Sequence, residues 1–276
     1  MHVNDATLSL FAGTINYQGD LKPNSFTFNH SNPAFSLVFR KLLNRHLSWR
    51  TGISIGKIEA ADRYNRDYLK PRNLSFYSNI KEVYTGISLN LLDISTKRFT
   101  PYVYGGIALY HFNPWTYDNN HQKVYLKPLS TEGQGLPEYP KKKPYSLTQI
   151  AIPFGVGLKF SLTEYLNIGL EFSQRKTFTD YLDDVSGFFV DEDILLQERG
   201  QKAVDLSYRG DELPGGDQTY PAKGSQRGTP SEMDWYYFFG VTFEIRLGGI
   251  QDIFSRWNKD GIASYQLRCP RNPGFQ

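Results

Sequence analysis

Histidine titrates nearest neutral pH, so His2, His30, His46, His111 and His121 are the first candidates for general acid–base chemistry. Hydrolases at the rims of membrane barrels need His with Asp, or His with Ser, presented together. His111 comes nearest to that need, but spacing gives it no evident serine partner, and a lone histidine of this kind reads as an interface residue. The chain has no G-x-S-x-G elbow, no H-E-x-x-H zinc motif and no phosphate-binding glycine loop. Asp180, Asp183, Asp184, Asp191, Glu192 and Asp193 offer the oxygens that calcium favours, without EF-hand spacing. Asp180, Asp183 and Asp184 are expected instead to pair with Arg175 and Lys176, which closely precede them. Cys269 is the only cysteine, which excludes an internal disulfide and a multi-cysteine metal site. These residues predict a chain that is not an enzyme, with no cofactor and no metal centre.

A different set of charges carries more information. Arg40, Arg50, Glu82, Lys159, Glu171, Arg175, Glu244 and Arg246 fall on one phase of a period-two alternation. In residues 150–160 the even positions are Ile150, Ile152, Phe154, Val156, Leu158 and Phe160, against Ala151, Pro153, Gly155, Gly157 and Lys159. Residues 235–247 set Trp235, Tyr237, Phe239, Val241, Phe243, Ile245 and Leu247 against Tyr236, Phe238, Gly240, Thr242, Glu244 and Arg246. Windows 35–42, 47–55, 83–91 and 166–172 follow the same rule, and windows 7–17 and 99–112 follow it less cleanly. The spacing predicts eight strands with one large apolar face and one small or charged face. Connections 43–46, 92–98 and 162–165 are short, whereas 18–34, 58–79, 113–147 and 178–233 are long.

That pattern decides what composition leaves open. A hydrophobic fraction of 39% and a mean hydropathy of -0.48 describe a polar chain, but an aromatic fraction of 15% is high. No run approaches the roughly 20 apolar residues of a membrane helix, which excludes a helical membrane protein and leaves a barrel open. Even strand number and alternating connection lengths predict an all-β fold, an eight-stranded antiparallel up-and-down transmembrane barrel of the outer membrane over residues 1–247. Both termini then lie at the short-turn, periplasmic end. An eight-stranded barrel is just wide enough inside for side chains to fill it. The five basic and three acidic lumen residues are therefore expected to pair and close it. Tyr17, Trp49, Tyr110, Phe112, Trp115, Trp235 and Tyr237 are expected at the membrane–water boundary. A net charge of +3 from scattered basic residues gives no reason for a nucleic-acid partner. The run Lys141-Lys142-Lys143 is expected to face outward, as a solvated loop or, alternatively, against outer-membrane lipid, including the phosphates of lipopolysaccharide.

Residues 248–276 read as a periplasmic tail. Ile250, Ile253, Phe254 and Trp257 form the stripe of a short amphipathic helix that Gly261 would end, followed by Tyr265, Leu267 and Cys269. A helix this short needs a surface to fold on. The stripe, Tyr265, Leu267 and Cys269 are the expected partner-binding residues, and Cys269 is an intermolecular disulfide candidate.

Five motifs carry a family resemblance: residues 16–21 (Asn-Tyr-Gln-Gly-Asp-Leu), 99–106 (Phe-Thr-Pro-Tyr-Val-Tyr-Gly-Gly), 131–135 (Thr-Glu-Gly-Gln-Gly), 152–157 (Ile-Pro-Phe-Gly-Val-Gly) and 175–186 (Arg-Lys-Thr-Phe-Thr-Asp-Tyr-Leu-Asp-Asp-Val-Ser). Together, over roughly residues 7–247, they resemble the Bacteroidota outer-membrane barrel family that includes the PorG-type subunit of the type IX secretion system. The resemblance implies a non-enzymatic barrel that anchors or docks a periplasmic ring, made of a lipoprotein and a partner subunit, at the outer membrane. It also implies a part in protein secretion and, in some bacteria, gliding motility. The tail lies outside these motifs. The alternative is an OmpA-like structural or adhesive barrel acting through its surface loops.

Overall fold

Strands with one large apolar face and one small polar face leave no unpaired edge when their sheet closes on itself. A computed structural model describes residues 6–23, 30–93 and 97–248, and shows that closure. In chain order the strands are β1 (Ala6–Gln18), β2 (Asn32–Leu42), β3 (Leu47–Ala61), β4 (Ser75–Asn90) and β5 (Phe99–His111). A small hairpin, β6 (Trp115–Tyr117) and β7 (Lys123–Tyr125), comes next, followed by β8 (Thr148–Ser161), β9 (Leu166–Thr177) and β10 (Trp235–Arg246). Apart from the hairpin, each strand pairs antiparallel with the next, and β10 returns to β1 from Thr7↔Arg246 to Gln18↔Trp235. The ring holds eight strands. The turns at 43–46 and 162–165 share one geometry, in which Leu43 and Asn44 amides donate to the Leu47 carbonyl and Leu162 and Thr163 amides to the Leu166 carbonyl.

Outside the ring, Leu10, Leu37, Ile53, Val83, Ile107, Val156, Leu170 and Phe243 are all exposed, Ile107 by 62%. A continuous apolar exterior on a closed antiparallel barrel is a membrane-spanning surface, and bacterial barrels of this build lie in the outer membrane. Trp49 and Trp235 sit on this face; Trp49 donates Nε1–H to Thr85 Oγ1 at 2.8 Å, and the Trp235 ring meets Phe154 edge-on.

Toward the long-loop end the polarity inverts. Residues 58–61 and 75–79, expected within a connection, continue β3 and β4 as a tall hairpin. There Lys57 and Glu59 lie on the outer phase while Ile58, Ala60, Phe76 and Ile80 are buried inside. Above the hydrocarbon the surroundings are water, so the apolar phase turns inward and the period-two signal reverses. The resulting core includes Ile15, Tyr17, Ile58, Phe76, Tyr110, Phe112, Tyr236 and Phe238. This corrects the expectation for Tyr17, Tyr110 and Phe112, which are core residues rather than boundary residues. Trp115 is also buried, stacked on Tyr77 at 4.6 Å, and Tyr237 is buried with its ring 6.1 Å from Phe172.

Candidate functional site

Inward side chains of the barrel strands meet in two ionic clusters. Near the short-turn end, Glu171 of β9 receives Arg50 of β3 at 3.3 Å and Arg40 of β2 at 3.6 Å. Tyr102 and Tyr104 of β5 donate to the same carboxylate at 2.7 and 3.1 Å. Glu244 of β10 is held by Arg40, by Lys159 of β8 at 2.9 Å and by Asn167 at 3.0 Å. Arg50 is fully buried, 3.5 Å from the centre of the Tyr104 ring, and donates to the Tyr84 hydroxyl at 2.8 Å. Higher up, Arg175 of β9 grips Glu82 of β4 with two bonds of 2.7 and 2.9 Å, and Tyr236 adds a third at 2.8 Å. Arg246 stands half-buried at the end of β10, opposite Thr7.

The glycines of the inward phase make room for this filling. A methyl group on Gly157 would collide with the Tyr102 ring. Arginine, glutamate and tyrosine side chains thus occupy the lumen at both levels. Each buried carboxylate receives several donors, which offsets the cost of removing it from water.

At the other end, residues 178–234 fold over the mouth as a cap. The helix α1 (Glu192–Arg199) starts at Asp191, whose carboxylate accepts from the Ile194 amide, with Glu192 and Asp193 in its positive first turn. It is followed by α2 (Gln201–Ser207). Leu195, Ala203 and Val204 pack with Leu136 and Val190 as a second small core.

Two buried residues lock this cap to the third long connection. Glu132 accepts from the Ser186 amide at 2.9 Å, the Gly187 amide at 3.0 Å and Arg227 Nη1 at 2.9 Å. Arg227, 2% exposed, also donates to the carbonyls of Asp184 at 2.6 Å and Ser207 at 3.1 Å. Asp184 accepts from Thr131 and from Tyr145 at 2.7 Å. Arg72 extends the lock to the β3–β4 connection, bonding Asp62 at 2.7 and 2.8 Å and the Arg227 carbonyl.

The acids expected at a strand end with Arg175 and Lys176 are therefore elsewhere. Arg175 points into the lumen and Lys176 lies on the outer face, because consecutive strand residues face opposite ways. Asp183 and Asp234 instead share one phenol: Tyr17 Oη lies 2.6 Å from Asp183 Oδ2 and 2.8 Å from Asp234 Oδ1. One hydroxyl proton serves only one of these bonds at a time, so the two buried carboxyls compete for it. Asp183 also accepts amides from Leu21 and Val185, and Asp234 accepts the Leu182 amide. Gly19 runs against this pair, and a Cβ there would strike the Asp234 carboxylate and the Tyr17 hydroxyl. Asp180 is buried beside them, and among the described residues neither of its carboxylate oxygens has a partner in hydrogen-bond geometry.

Burial pushes Asp183 up to about 8 and Asp180 up to about 9. It raises Asp234 well above the carboxylate range, with the charges of Asp183 and Asp180 adding to the shift. The ordinary value is 3.8, so over that interval the folded cap holds protons that the unfolded chain releases. Their contribution to stability is complete below about pH 4 and is lost as pH rises through 8 to 9. Amide exchange in residues 181–187, corrected for its intrinsic pH dependence, should accelerate by at least about tenfold between pH 6 and pH 9.5. Asp180→Asn should flatten that response; an unchanged response would remove Asp180 from the account.

The remaining expected residues are placed as follows. His111 Nδ1 lies 3.0 Å from Thr148 Oγ1, His46 Nδ1 3.0 Å from the Asn90 carbonyl, and His30 stacks on Tyr64. His121 sits in a turn with φ 56°. Lys142 braces the third long connection rather than standing free: its ammonium donates to the Glu132 carbonyl at 2.8 Å. Among the described residues, no three His, Cys, Asp or Glu side chains converge as a metal site. Ile250, Ile253, Phe254, Trp257, Tyr265, Leu267 and Cys269 lie outside the described residues.

Solved barrels of similar topology share little sequence with this chain. Ail, the attachment invasion locus protein of Yersinia pestis, in complex with the heparin analogue sucrose octasulfate, matches with a TM-score of 0.42 and 8% identity, over 88% of this chain and 99% of its own. Neisserial surface protein A gives 0.42 and 6% identity over 88% and 97%. A major outer membrane protein of Thermus thermophilus gives 0.42 and 12% over 88% and 99%. No curated protein matches the sequence. The model of one family, described as a domain of unknown function (DUF6089), matches residues 2–193, well over half of the chain. The chain belongs to the DUF6089 family.

Proposed function

We propose that this chain is a non-enzymatic outer-membrane subunit of the type IX secretion apparatus, holding a periplasmic ring of lipoprotein and partner subunit at the membrane. The observation that carries the reading is a filled lumen beneath a locked cap. With Arg50 and Glu171 paired across the interior and Arg227 seated on Glu132, the barrel is built as a rigid body rather than a conduit. Such a body serves to hold something in place. The sequence resemblance supplies the machine, and its motifs at 131–135 and 175–186 are the segments that build the cap lock and part of the lumen network. In this reading the long loops face the cell exterior. Both termini lie with the short turns in the periplasm, where residues 248–276 meet the ring.

Deleting residues 248–276 in the native bacterium should cut secretion of cargo bearing the C-terminal signal by more than about tenfold, the loss expected when an interface loses several apolar anchors. The level of barrel in the outer membrane is measured alongside. A full-length variant, Phe254→Ala with Trp257→Ala, covers the case in which the shortened chain fails to assemble. Secretion that survives both changes overturns the reading and favours an OmpA-like barrel acting through its loops. An ordered cap beside a β3–β4 connection that exposes Tyr64 and Tyr68 by 55% and 68% would serve that role.

A further inference from the structure

Two rows of outward side chains, one strand step apart, differ sharply in chemistry. Antiparallel pairing aligns Ile53, Val83, Leu109 and Ile150 as one row on β3, β4, β5 and β8. The next row toward the long loops is Ile55, Lys81, His111 and Thr148. Between them runs a groove of about 330 Å³ on the outer surface, lined by Ile53, Val83 and Leu109 below and by Ile55, Lys81, His111 and Thr148 above. The four apolar residues are each more than half exposed. Lys81 is exposed, and no hydrogen bond or ion pair involves its side chain among the described residues. Thr148 engages His111 Nδ1 at 3.0 Å, which leaves Nε2 for a ligand.

Above that row stands an aromatic shelf. Tyr77 and Trp115 stack at 4.6 Å, and Tyr117 meets Trp115 edge-on at 5.1 Å. Tyr117 and Tyr125 are each 43% exposed. Lys57 Nζ lies 5.1 Å from the centre of Tyr77, and Lys123 Nζ lies 4.4 Å from that of Trp115. Glu59, bonded to Lys57 at 2.8 Å, is the acid of this cluster.

We propose that this face binds a phosphorylated glycolipid of the outer leaflet, with an acyl chain in the groove, a phosphate between Lys81, His111 and Lys57, and sugar rings against the aromatic shelf. An acyl chain matches the apolar floor, and a doubly charged phosphate matches lysines at the hydrocarbon boundary. The shelf distinguishes the ligand from a glycerophospholipid, since the exposed rings of Tyr117 and Tyr125 offer a stacking surface that a glycerol headgroup does not use. The proposal rests on the reading that the long loops face the cell exterior.

The test uses the full-length barrel, stripped of lipid in detergent, with diphosphoryl lipid A as the probe and native mass spectrometry as the readout. One lipid A should remain bound per barrel, with dephosphorylated lipid A and phosphatidylglycerol at least about tenfold weaker. Lys57→Gln with Lys81→Gln should weaken lipid A by about tenfold or more, while Lys41→Gln at the other end should leave it unchanged. Resistance of the folded barrel to heating in detergent shows that each variant folds. Equal binding of phosphatidylglycerol, or unchanged binding in the double variant, overturns the proposal. Protease or biotin labelling of residues 113–147 on whole cells tests the orientation separately. Surface-accessible loops without lipid A binding sink the site alone. Binding with inaccessible loops leaves the site standing and sinks the orientation, and with it an outer-leaflet source.

Discussion

Glu171→Gln should lower the unfolding free energy of the barrel by about 3–5 kcal/mol, the usual consequence of removing one partner from a buried ion pair. Glu171 is the acceptor on which Arg50, Arg40, Tyr102 and Tyr104 converge. Glutamine keeps the shape but removes the charge, so Arg50 remains fully buried without its ionic partner. Glu244 cannot take over, since it already holds Lys159 and Asn167 beside Arg40. The measurement is reversible urea unfolding in lipid vesicles, followed by tryptophan fluorescence. Glu164→Gln, in an exposed turn between β8 and β9, serves as the control and should change stability little. Adding Arg50→Gln to Glu171→Gln should recover part of the loss, because the pair is then removed together. Equal stability of Glu171→Gln and the parent would show that the lumen charges are solvated and that the barrel is not filled.

Arg227→Leu should act on the cap and spare the barrel. Its guanidinium joins the Glu132 carboxylate, the Asp184 carbonyl and the Ser207 carbonyl, and so ties the segment after β9 to the segment before β8. Its loss leaves Glu132 buried, still bonded to the Ser186 and Gly187 amides but lacking a positive partner. A cost of about 3–5 kcal/mol, concentrated in the cap, should raise proteolysis within residues 178–233 by two orders of magnitude or more. The heat-resistant, folded form of the barrel should persist, since the ring of strand pairs and both lumen clusters are untouched. A cap equally protected in the variant would show that the hydrophobic packing around Leu195 and Val204 holds it unaided. Global unfolding would show that cap and barrel form one cooperative unit.

The membrane zone was legible because the bilayer enforces a strict rule. Where lipid lies outside and side chains fill the inside, residues such as Ile152 and Phe154 must alternate with Pro153 and Gly155, and all eight strands follow from that. The lumen charges were legible for the same reason, since their phase alone placed Arg50 and Glu171 inside. The zone beyond the membrane was not. There the apolar phase turns inward, so residues 58–61 and 75–79 lost their signal and Tyr17, Tyr110 and Phe112 were given the wrong surroundings. The cap lock was less legible still. Glu132 falls within a motif that carries the resemblance, but Arg227 follows a glycine- and proline-rich stretch where nothing in the local pattern marks a buried charge. Its role depends on contacts 95 positions away in the chain, which no periodicity reports.

The position of the cap between β9 and β10 fixes an order of events during biogenesis. Strand β10 is the one that joins β1 and shuts the ring. Once it is shut, arginine, glutamate and tyrosine side chains occupy the interior, and no polypeptide can be threaded through. If the long loops face the cell exterior, as proposed, residues 178–234 must cross the bilayer while the sheet is still open, unfolded and without α1 or α2, beside the unzipped edges of β1 and β10. Helix formation and the meeting of Glu132 with Arg227 follow on the far side. Each step removes the route back: seam closure traps the segment, and the folded cap is then too bulky to return. A substitution that let the cap collapse early would strand the chain as an open sheet with two bare edges, and an assembly defect would appear in a protein whose mature form, once made, is stable.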